Sequence, residues 1–551
     1  MTLAEEIKKF FKGEIQEDSA TLDTYSRDAS LFEVEPSLVV CPQDLGDLKN
    51  LVRFAAEKKA RGENISLTAR SGGTDMTGGP LTESIVVDMQ KHFNRILELG
   101  DGYVVVQPGM FYRDFEKETL KKGWLLPSYP ASREICTVGG MVSNNSGGEK
   151  TLSYGKTEQY VEELKMVLRD GNEYVFKALT LAELEQKKQQ QDLEGEIYRK
   201  ISDLIIQNES EIKAAKPQVS KNSSGYYLWN VWDKEKGIFD LPKMLVGSQG
   251  TFGIVTEIKF RLIKPKTHSK LLLIFLKDLK ILGEVANHVL QFKPESFESY
   301  DDHTFKVAIK IFPELVKFFK GNLLTLAIKF LPEFWMILSG GVPKLIMLAE
   351  FTADSDQEAL EKAKEAQISL KEFNLPTKLI QTQKEAQKYW VIRRESFNML
   401  RHHIKGLRTA PFIDDIIVRP EKLPEFLPQL NQILDQYKHL IYTIAGHVGD
   451  GNFHIIPLMD MTKPESEKII AEISDKVYKL VLEFKGSITA EHNDGLIRSP
   501  YIPAMFGQNI YQLFIQTKQI FDPDNIFNPG KKVGAILAYT LNHLDKSPHL
   551  G

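Results

Sequence analysis

The stretch Arg70-Ser-Gly-Gly-Thr-Asp-Met-Thr-Gly-Gly79 follows directly on the short run Ile65-Ser-Leu-Thr-Ala69, which is typical of a β-strand. Glycine adopts backbone conformations that strain other residues, so this loop can turn sharply and present several N–H groups to one point. Its spacing differs from the G-x-G-x-x-G pattern of doubly wound dinucleotide-binding folds. The stretch therefore predicts a pyrophosphate-binding loop in another fold, and a plain surface turn is the alternative for the stretch taken alone.

Two further glycine-rich segments follow along the chain. Cys136-Thr-Val-Gly-Gly-Met-Val-Ser-Asn-Asn-Ser-Gly-Gly148 has two glycine pairs around small polar residues, and Gly247-Ser-Gln-Gly-Thr-Phe-Gly-Ile-Val-Thr256 leads into a strand pattern. Small side chains leave room for a flat ring to approach the backbone. Each segment alone is a weak signal, but three in one predicted domain favour a nucleotide-like ligand.

The alternation of short β-branched runs with helical patterns predicts an α+β architecture. We expect a helical segment at 1–35, a glycine-rich α+β domain at 36–265 and a second α+β domain at 266–489. The second domain should contain an antiparallel sheet with helices on one face. Residues 490–551, rich in Asn, Gly and Pro, should form a C-terminal segment that completes the site.

Composition excludes several classes of protein. The net charge is -4 over 551 residues and the cations are scattered, which argues against a nucleic-acid partner. Two cysteines, Cys41 and Cys136, are too few for a disulfide framework or an iron–sulfur cluster. The apolar region 323–348 is interrupted by charged, Gly and Pro residues, so we expect no transmembrane segment.

The strongest chemical signal is Gly446-His-Val-Gly-Asp-Gly-Asn-Phe-His454, paired with Ala490-Glu-His-Asn493. His447 and His454 flank a tight turn and can point into one cavity. Two imidazoles and a carboxylate suit a divalent ion such as zinc, manganese or iron with open coordination positions. Because consecutive extended residues face opposite ways, Glu491 and His492 are expected to do different jobs.

These motifs together resemble the vanillyl-alcohol oxidase and p-cresol methylhydroxylase superfamily, and within it the D-lactate dehydrogenase, glycolate oxidase and D-2-hydroxyglutarate dehydrogenase branch. The resemblance implies a two-part FAD-binding domain of the p-cresol methylhydroxylase type and a cap domain. Thr74 stands where some members carry a flavin-linking histidine, so non-covalent FAD is expected. The FAD-binding residues that the resemblance implies are Arg70, Ser71, Gly72, Gly73, Thr74, Asp75, Thr77, Gly78, Gly79, Pro127, Thr137, Gly139, Gly140, Ser143, Asn145, Gly147, Gly250, Thr251, Gly253, Ile254 and Asn528.

The same resemblance implies the site residues. It makes His447, His454 and Glu491 the metal ligands and His492 the base that takes the substrate's hydroxyl proton while hydride passes to the flavin. Arg394 matches the arginine that binds the substrate carboxylate. Asn528 lies in the closing segment and could hydrogen-bond the flavin or the substrate.

The implied activity is oxidation of a small 2-hydroxy acid to the 2-oxo acid. Ile413 stands where the 2-hydroxyglutarate enzymes have an additional lysine, which favours lactate-like monocarboxylates over dicarboxylates. Three alternatives stay open: a flavin oxidase that uses oxygen, a non-catalytic FAD-binding module, and a non-redox enzyme of the alkylglycerone-phosphate synthase type.

Reoxidation of the flavin needs an acceptor that the sequence does not specify. The chain has no nicotinamide fingerprint and no cysteine cluster, so we expect an external quinone, cytochrome, electron-transfer flavoprotein or iron–sulfur subunit. A cytoplasmic location is expected. Peripheral contact with the inner membrane through the apolar, lysine-bearing stretch 312–338 is the alternative to its burial in the second domain.

Overall fold

A computed structural model describes residues 1–302, 343–403, 406–437 and 440–547. The stretch 312–338, for which membrane contact was considered, lies outside these residues. The strands described are β1 (Glu14–Gln16), β2 (Leu38–Cys41), β3 (Leu67–Arg70), β4 (Ile85–Asp88), β5 (Ile96–Leu99), β6 (Tyr103–Val106), β7 (Val161–Val167), β8 (Glu173–Thr180), β9 (Trp232–Asp233), β10 (Ile238–Asp240), β11 (Ile254–Arg261), β12 (His268–Leu276), β13 (Ser296–Asp301), β14 (Leu345–Ala353), β15 (Thr377–Ile380), β16 (Arg408–Thr409), β17 (Ile416–Ile417), β18 (Ile441–His447) and β19 (Asn452–Met459).

The α-helices, numbered in the same way, alternate with these strands. They are α1 (Leu3–Ile7), α2 (Ser19–Tyr25), α3 (Leu45–Ala60), α4 (Tyr112–Lys121), α5 (Val138–Asn144), α6 (Thr151–Tyr154), α7 (Leu181–Gln189), α8 (Leu193–Gln207), α9 (Glu209–Ala214), α10 (Pro242–Leu245), α11 (Leu282–Leu290), α12 (Asp356–Ser369), α13 (Gln383–His403), α14 (Leu423–Leu434), α15 (Glu465–Glu483), α16 (Gly495–Arg498), α17 (Ile502–Phe521) and α18 (Leu537–Asn542).

The first sheet has the order β1-β2-β4-β3, in which β2, β4 and β3 run parallel. Helix α3 connects β2 to β3 and is capped by Asp44, whose side chain accepts from the backbone N–H of Asp47. Its buried residues, which include Leu48, Leu51 and Val52, cover the fully buried strands β2 and β4. The first glycine-rich loop begins where β3 ends.

The second sheet is antiparallel, with the order β5-β6-β11-β7-β8-β10-β9. Its central strand β11 pairs with β6 on one side and β7 on the other. The third glycine-rich segment leads directly into β11. Helix α5, formed by the second segment, lies in the core of this half of the molecule through Val138, Met141 and Val142.

The third sheet is also antiparallel and has the order β15-β12-β14-β13-β18-β19-β16, with β17 paired to β19. Helices α11, α12, α14 and α15 pack into one core with it, through residues such as Val285, Ala363, Leu430 and Ile473. Buried apolar side chains drive this packing. The prediction of an antiparallel sheet with helices packed on it is confirmed.

The C-terminal segment is more helical than its composition suggested. Helix α17 spans Ile502–Phe521 and is broken at Gly507, where φ is 78°. Beyond it the chain returns to the first sheet: Leu67 donates its N–H to the Ile526 carbonyl (2.7 Å) and accepts from the Asn528 N–H (3.0 Å). The expected return of this segment is therefore observed beside the strand that precedes the first glycine-rich loop.

The α+β class is confirmed, and the glycine-rich half consists of two sheets. We keep 36–265 and 266–489 as proposed domain limits, because they fall before β2 and between β11 and β12. Within the described ranges, none of the helices combines the length and the apolar character needed to cross a bilayer.

Candidate active site

A cavity of about 520 Å³ lies where the glycine-rich half meets the third sheet. Its walls come from segments that are far apart in the chain. They include Arg27, Asp28 and Ala29 near the N-terminus, the first and second glycine-rich segments, Gln249, Arg393 and Arg394 on α13, Ala445, His447, His454 and Ile456 on β18 and β19, and Glu491 and His492.

The first glycine-rich loop is braced by its own aspartate. Asp75 accepts hydrogen bonds from the backbone N–H and the hydroxyl of Thr77 (both 2.7 Å) and from the N–H of Gly79 (3.1 Å). The Arg70 guanidinium donates to the carbonyls of Tyr25 and Arg27 (2.8 and 2.6 Å). These two side chains hold the loop and the N-terminal segment together behind the cavity wall.

At Gly72 the first glycine-rich segment packs closely against the chain where the second one begins. A Cβ on Gly72 would lie 2.6 Å from the carbonyl oxygen of Ile135, so only glycine permits this approach. Thr137 caps α5 by accepting from the N–H of Gly140 (3.3 Å). Asn145 ends the same helix in the left-handed conformation, with φ of 51°. The result is a narrow slot lined largely by backbone, which suits a flat ring.

The third segment reaches the cavity through a residue that sequence reasoning missed. Gln249 lines the cavity and accepts from the N–H of Gly495 (2.9 Å). The neighbouring Thr251 is buried, donates to the Ser248 carbonyl (2.7 Å) and bonds Tyr226. The sequence signal that could have identified Gln249 is its position directly before Gly250 in the third glycine-rich segment.

The structure divides the expected FAD-binding residues into two groups. Those that line the cavity are Ser71, Gly72, Gly73, Thr74, Asp75, Gly79, Gly140, Ser143 and Gly147. Those that do not line it are Arg70, Thr77, Gly78, Pro127, Thr137, Gly139, Asn145, Gly250, Thr251, Gly253, Ile254 and Asn528.

Asn528 is placed differently from its expected role. Its amide nitrogen donates to the carbonyls of Gly79 (3.0 Å) and Gln249 (2.7 Å), and its oxygen accepts from Thr68 (3.3 Å). The side chain is 2 % exposed. Its hydrogen bonds therefore hold the first and third segments together, and it is not among the residues that line the cavity.

His447 and His454 lie on one face of a hairpin. In the register of β18 and β19, Ala445 pairs with His454 and His447 pairs with Asn452. Because side chains alternate along a strand, Ala445, His447, His454 and Ile456 all point to the same side. That side is the cavity, so the hairpin presents two imidazoles and two apolar side chains together.

Glu491 meets these imidazoles from the other side. Its Oε1 lies 3.0 Å from His447 Nε2 and 3.6 Å from His454 Nε2. His492 Nε2 lies 3.9 Å from the same oxygen. The expectation that Glu491 and His492 face opposite ways is wrong, because this segment is not a strand and both side chains face one center.

Asp415, which sequence analysis did not assign, anchors the Glu491 segment. Its Oδ2 accepts from the Thr489 hydroxyl (2.6 Å) and from the N–H groups of Glu491 (2.8 Å) and His492 (2.7 Å). Its Oδ1 accepts from Asn452 (3.1 Å). Although Asp415 lies close enough to His454, Glu491 and His492 to share an ion with them, its oxygens are occupied, so we assign it to positioning.

Each imidazole has a carboxylate behind it. His447 Nδ1 lies 2.5 Å from Glu298, and His454 Nδ1 lies 3.0 Å from Asp414 Oδ1. His492 Nδ1 is 2.7 Å from Asp414 Oδ2, at an angle that does not meet hydrogen-bond geometry. Carboxylates in this position are characteristic of metal-binding histidines, because they fix the ring orientation and leave Nε2 as the donor atom.

The electrostatics of the cluster are dominated by these carboxylates. Burial lowers the pKa of His492, but the nearby Asp414 and Asp415 raise it to about 10. Burial likewise lowers the pKa of His447, while Glu298 and Glu491 raise it to about 9. Burial raises the pKa of Glu298, yet the nearby His447 and Arg393 bring it down to about 2. The site is thus an anionic pocket that favours positive charge.

A buried lysine holds the back of Glu491. Lys221 Nζ lies 3.0 Å from Asp450 Oδ2 and 3.4 Å from Glu491 Oε2. With Oε2 occupied in this way, Oε1 is the oxygen that faces the histidines. The donor set of Nε2 atoms and one carboxylate oxygen, with carboxylates behind the rings, fits a divalent transition ion.

Arg394 lies on α13 at the edge of the cavity and is already paired. Its Nε and Nη2 donate to Glu149 Oε2 and Oε1 at 3.0 and 2.6 Å. Arg393 also lines the cavity and pairs with Glu298 (3.0 Å). Glu149 and Glu298 were missed because nothing in the sequence marks two distant glutamates as partners of one arginine pair.

Comparison with known proteins identifies the families that two parts of the chain match. Residues 36–176 match the family described as FAD binding domain, and residues 266–532 match FAD linked oxidases, C-terminal domain. The chain is 29% identical over 95% of its length to a D-2-hydroxyglutarate dehydrogenase of Pseudomonas putida, which it covers to 50%. It is 26% identical over 91% of its length to a D-lactate dehydrogenase of Archaeoglobus fulgidus, which it covers to 92%.

A solved structure shares the fold. The 4-ethylphenol oxidase of Gulosibacter chungangensis matches with a TM-score of 0.67 and 16% identity, over 96% of both chains. The chain spans about half the length of the first D-2-hydroxyglutarate dehydrogenases that it matches. Because an FAD binding domain is followed in this chain by the C-terminal domain of FAD linked oxidases, the chain belongs to the FAD-linked oxidases.

Proposed function

We propose that the protein is an FAD-dependent dehydrogenase that oxidises a small 2-hydroxy acid, D-lactate or a close analogue, to the 2-oxo acid. The observation that carries this proposal is the convergence of His447, His454 and His492 on Glu491 Oε1, in the cavity that the first two glycine-rich segments line. Relatives named for D-lactate and D-2-hydroxyglutarate oxidation support the substrate class.

The cavity supplies a place for each component. The first two glycine-rich segments would hold FAD without a covalent link, and His447, His454 and Glu491 would hold a divalent ion, with zinc proposed before manganese or iron. When bound, FAD accepts two electrons and the divalent ion acts as a Lewis acid toward substrate oxygen.

His492 is the proposed base. Its Nδ1 lies against Asp414, so Nε2 is the nitrogen that faces the cavity and can take the hydroxyl proton. Asp414 then stabilises the imidazolium that forms. The surrounding carboxylates raise the pKa of His492 to about 10, and a cation beside it would lower that pKa toward neutrality, as a base working near pH 7 requires.

The substrate's two ends meet different surfaces. Arg394 faces the cavity and is the proposed partner of the carboxylate. Ala445 and Ile456 flank the histidines on the hairpin and give the substrate's side chain an apolar surface. This surface, together with buried Ile413 in place of a lysine, favours an alkyl side chain over a second carboxylate.

The reduced flavin is proposed to pass its electrons to an acceptor outside this chain, such as a quinone, a cytochrome, an electron-transfer flavoprotein or an iron–sulfur subunit. The two cysteines are buried and separate, so they offer no cluster of their own. A cytoplasmic location remains part of the proposal.

Anaerobic bleaching of the bound flavin tests the function. Purified holoprotein is mixed with D- and L-lactate, glycolate, D-malate and D-2-hydroxyglutarate, before and after chelation and after zinc is restored. We expect bleaching by a D-2-hydroxy monocarboxylate, its loss on chelation and its return with metal. A yellow protein that none of these acids bleaches contradicts the proposal, and rapid peroxide release in air would indicate an oxidase instead.

A further inference from the structure

We propose that Glu149 is a specificity-determining residue, which occupies one edge of the Arg394 guanidinium and so restricts the site to substrates with a single carboxylate. The inference rests on the proposed function, because Arg394 is there the partner of the substrate carboxylate. It adds the residue that directly follows the second glycine-rich segment, which neither the motifs nor the comparisons assign.

The geometry of the pair is bidentate. A guanidinium has two edges that can hold a carboxylate, one formed by Nε with one Nη and one formed by Nη1 with Nη2. Glu149 takes the Nε–Nη2 edge, with distances of 3.0 and 2.6 Å. Nη1 donates no hydrogen bond to any described residue, and the side chain is 40% exposed at the cavity. One edge therefore remains for a substrate.

Glu149 is held in this position by its surroundings. Its side chain is 16% exposed, and the Tyr129 hydroxyl donates to Oε1 (3.1 Å). Burial raises the pKa of Glu149, but the Arg394 guanidinium outweighs burial and keeps the pKa below the usual value. The group is thus a carboxylate at neutral pH, and it cancels the charge of Arg394.

A second carboxylate on the substrate would meet few favourable charge interactions in this part of the cavity. Arg393, the next cation on α13, pairs with Glu298 at 3.0 Å. The hairpin face offers Ala445 and Ile456, which are apolar. A dianionic substrate would bring a second negative charge into a cavity whose two α13 arginines are already paired with Glu149 and Glu298, and like charges brought together in a partly buried site disfavour binding.

The experiment compares substrate preference in three holoproteins: wild type, E149Q and E116Q. Glu116 is a matched control, because it is 12% exposed, pairs with Arg133 at 3.0 Å and accepts from a tyrosine hydroxyl at 3.4 Å. Arg133 does not line the cavity, whereas Arg394, the partner of Glu149, does. The measured quantity is the ratio of kcat/KM for D-2-hydroxyglutarate to that for D-lactate. A second readout is the Kd of 2-oxoglutarate relative to pyruvate, measured by calorimetry on the oxidised protein.

We expect E149Q to raise both preferences for the dicarboxylate by about tenfold, and E116Q to leave them unchanged. A loss of stability or of flavin lowers both kcat/KM values together and does not move the ratio. The inference is overturned if the ratio stays the same in E149Q, if E116Q shifts it equally, or if the wild type already prefers the dicarboxylate. Wild-type flavin that no 2-hydroxy acid reduces would instead refute the proposed function.

Discussion

Carboxylates behind the imidazoles are the feature of single residues that distinguishes this site from a chance group of histidines. Glu298 faces His447, and Asp414 faces both His454 and His492. A buried neutral histidine has one ring N–H that donates and one ring nitrogen that accepts, and neither needs a carboxylate as its partner. Here the Nδ1 atoms are held from outside and the Nε2 atoms meet at one oxygen, as a metal site requires.

Replacing Glu298 by Gln should weaken metal binding without removing FAD. The substitution removes the charge that fixes His447, and loss of such a partner lowers metal affinity about 10- to 100-fold. Metal content by mass spectrometry after dialysis against a graded chelator measures the effect, and flavin absorbance checks the cofactor. Glu194→Gln is the control, because Glu194 is also buried and paired, with Lys187 at 2.5 Å, but lies on α8 outside the cavity lining. Equal metal loss in the two variants would contradict the assignment.

Asp415→Asn should destabilise the protein and release metal. Asp415 adopts φ of 65°, which Asn tolerates, so the change tests the carboxylate and not the backbone. Oδ2 accepts from three donors and Oδ1 accepts from Asn452, so an amide, whichever way it is turned, places its NH2 group against at least one donor. We expect a loss of about 1–3 kcal/mol in the free energy of unfolding, measured by denaturant titration. Asp460→Asn, at an exposed turn, should change the free energy of unfolding little. An equal loss in the two variants would contradict the anchoring role of Asp415.

At the scale of elements, one hairpin determines how the histidines meet. The turn between β18 and β19 brings His447 and His454 to the same side only because the chain reverses within four residues. Gly451 makes this reversal with φ of 71°, and a Cβ there would lie 2.0 Å from the Val418 carbonyl. The turn is therefore fixed by its fit against the segment that follows β17.

Gly451→Ala should disrupt the hairpin and the metal site together. The side chain must clear backbone atoms and adopt an unfavourable φ, which we expect to cost more than about 2 kcal/mol. Gly530→Ala provides the comparison, because Gly530 has φ of 76° but nothing within 4 Å of its Cβ position. Gly530→Ala should lower the free energy of unfolding only by the cost of backbone strain, about 1 kcal/mol. Calorimetric melting and metal content distinguish the two, and similar values for both would show that the contact with Val418 is unimportant.

At the scale of the whole molecule, polar contacts tie α6 and the residue before it, which follow the second glycine-rich segment, to the third sheet. Lys150 pairs with Glu295 at 2.5 Å, and the Tyr154 hydroxyl donates to the same carboxylate at 2.7 Å. Burial and the nearby Glu295 raise the pKa of Glu350 to about 7, although Lys150 opposes the rise. The cavity depends on this junction because its walls come from both sides.

Glu350 should make stability depend on pH. Its pKa is about 7 in the fold and 4.5 in the reference state, so between these values the folded protein binds the extra proton. The stability that this group contributes is therefore fully present below pH 4.5, falls as the pH rises from 4.5 to 7 and levels off above pH 7. When the pH is raised from 5 to 8, the free energy of unfolding of Glu350→Gln should rise by about 1–3 kcal/mol relative to that of the wild type. Denaturant titrations at both pH values test this, with exposed Glu365→Gln as control; a gain that is independent of pH would refute it.

The local sequence predicted the elements whose signals are local. The run Ile65–Ala69, predicted as the strand before the first glycine-rich loop, overlaps β3 (Leu67–Arg70). The glycine-rich loops and the His447–His454 turn were also recognisable, because a loop needs particular residue types at adjacent positions. Helix α17 was missed because Gly507 and the surrounding Asn and Pro residues conceal its helical pattern.

Sequence alone determined the α+β class, the glycine-rich segments and the presence of two histidines beside a turn, since backbone propensity and hydrophobic periodicity are properties of neighbouring residues. Only the tertiary structure decided that Glu298 and Asp414 lie behind those histidines and that Asn528 joins two glycine-rich loops. It alone also decided that Glu149 pairs with the Arg394 guanidinium. These pairs are separated by tens to hundreds of residues. Their contacts follow from how three sheets pack, and no local pattern encodes that packing.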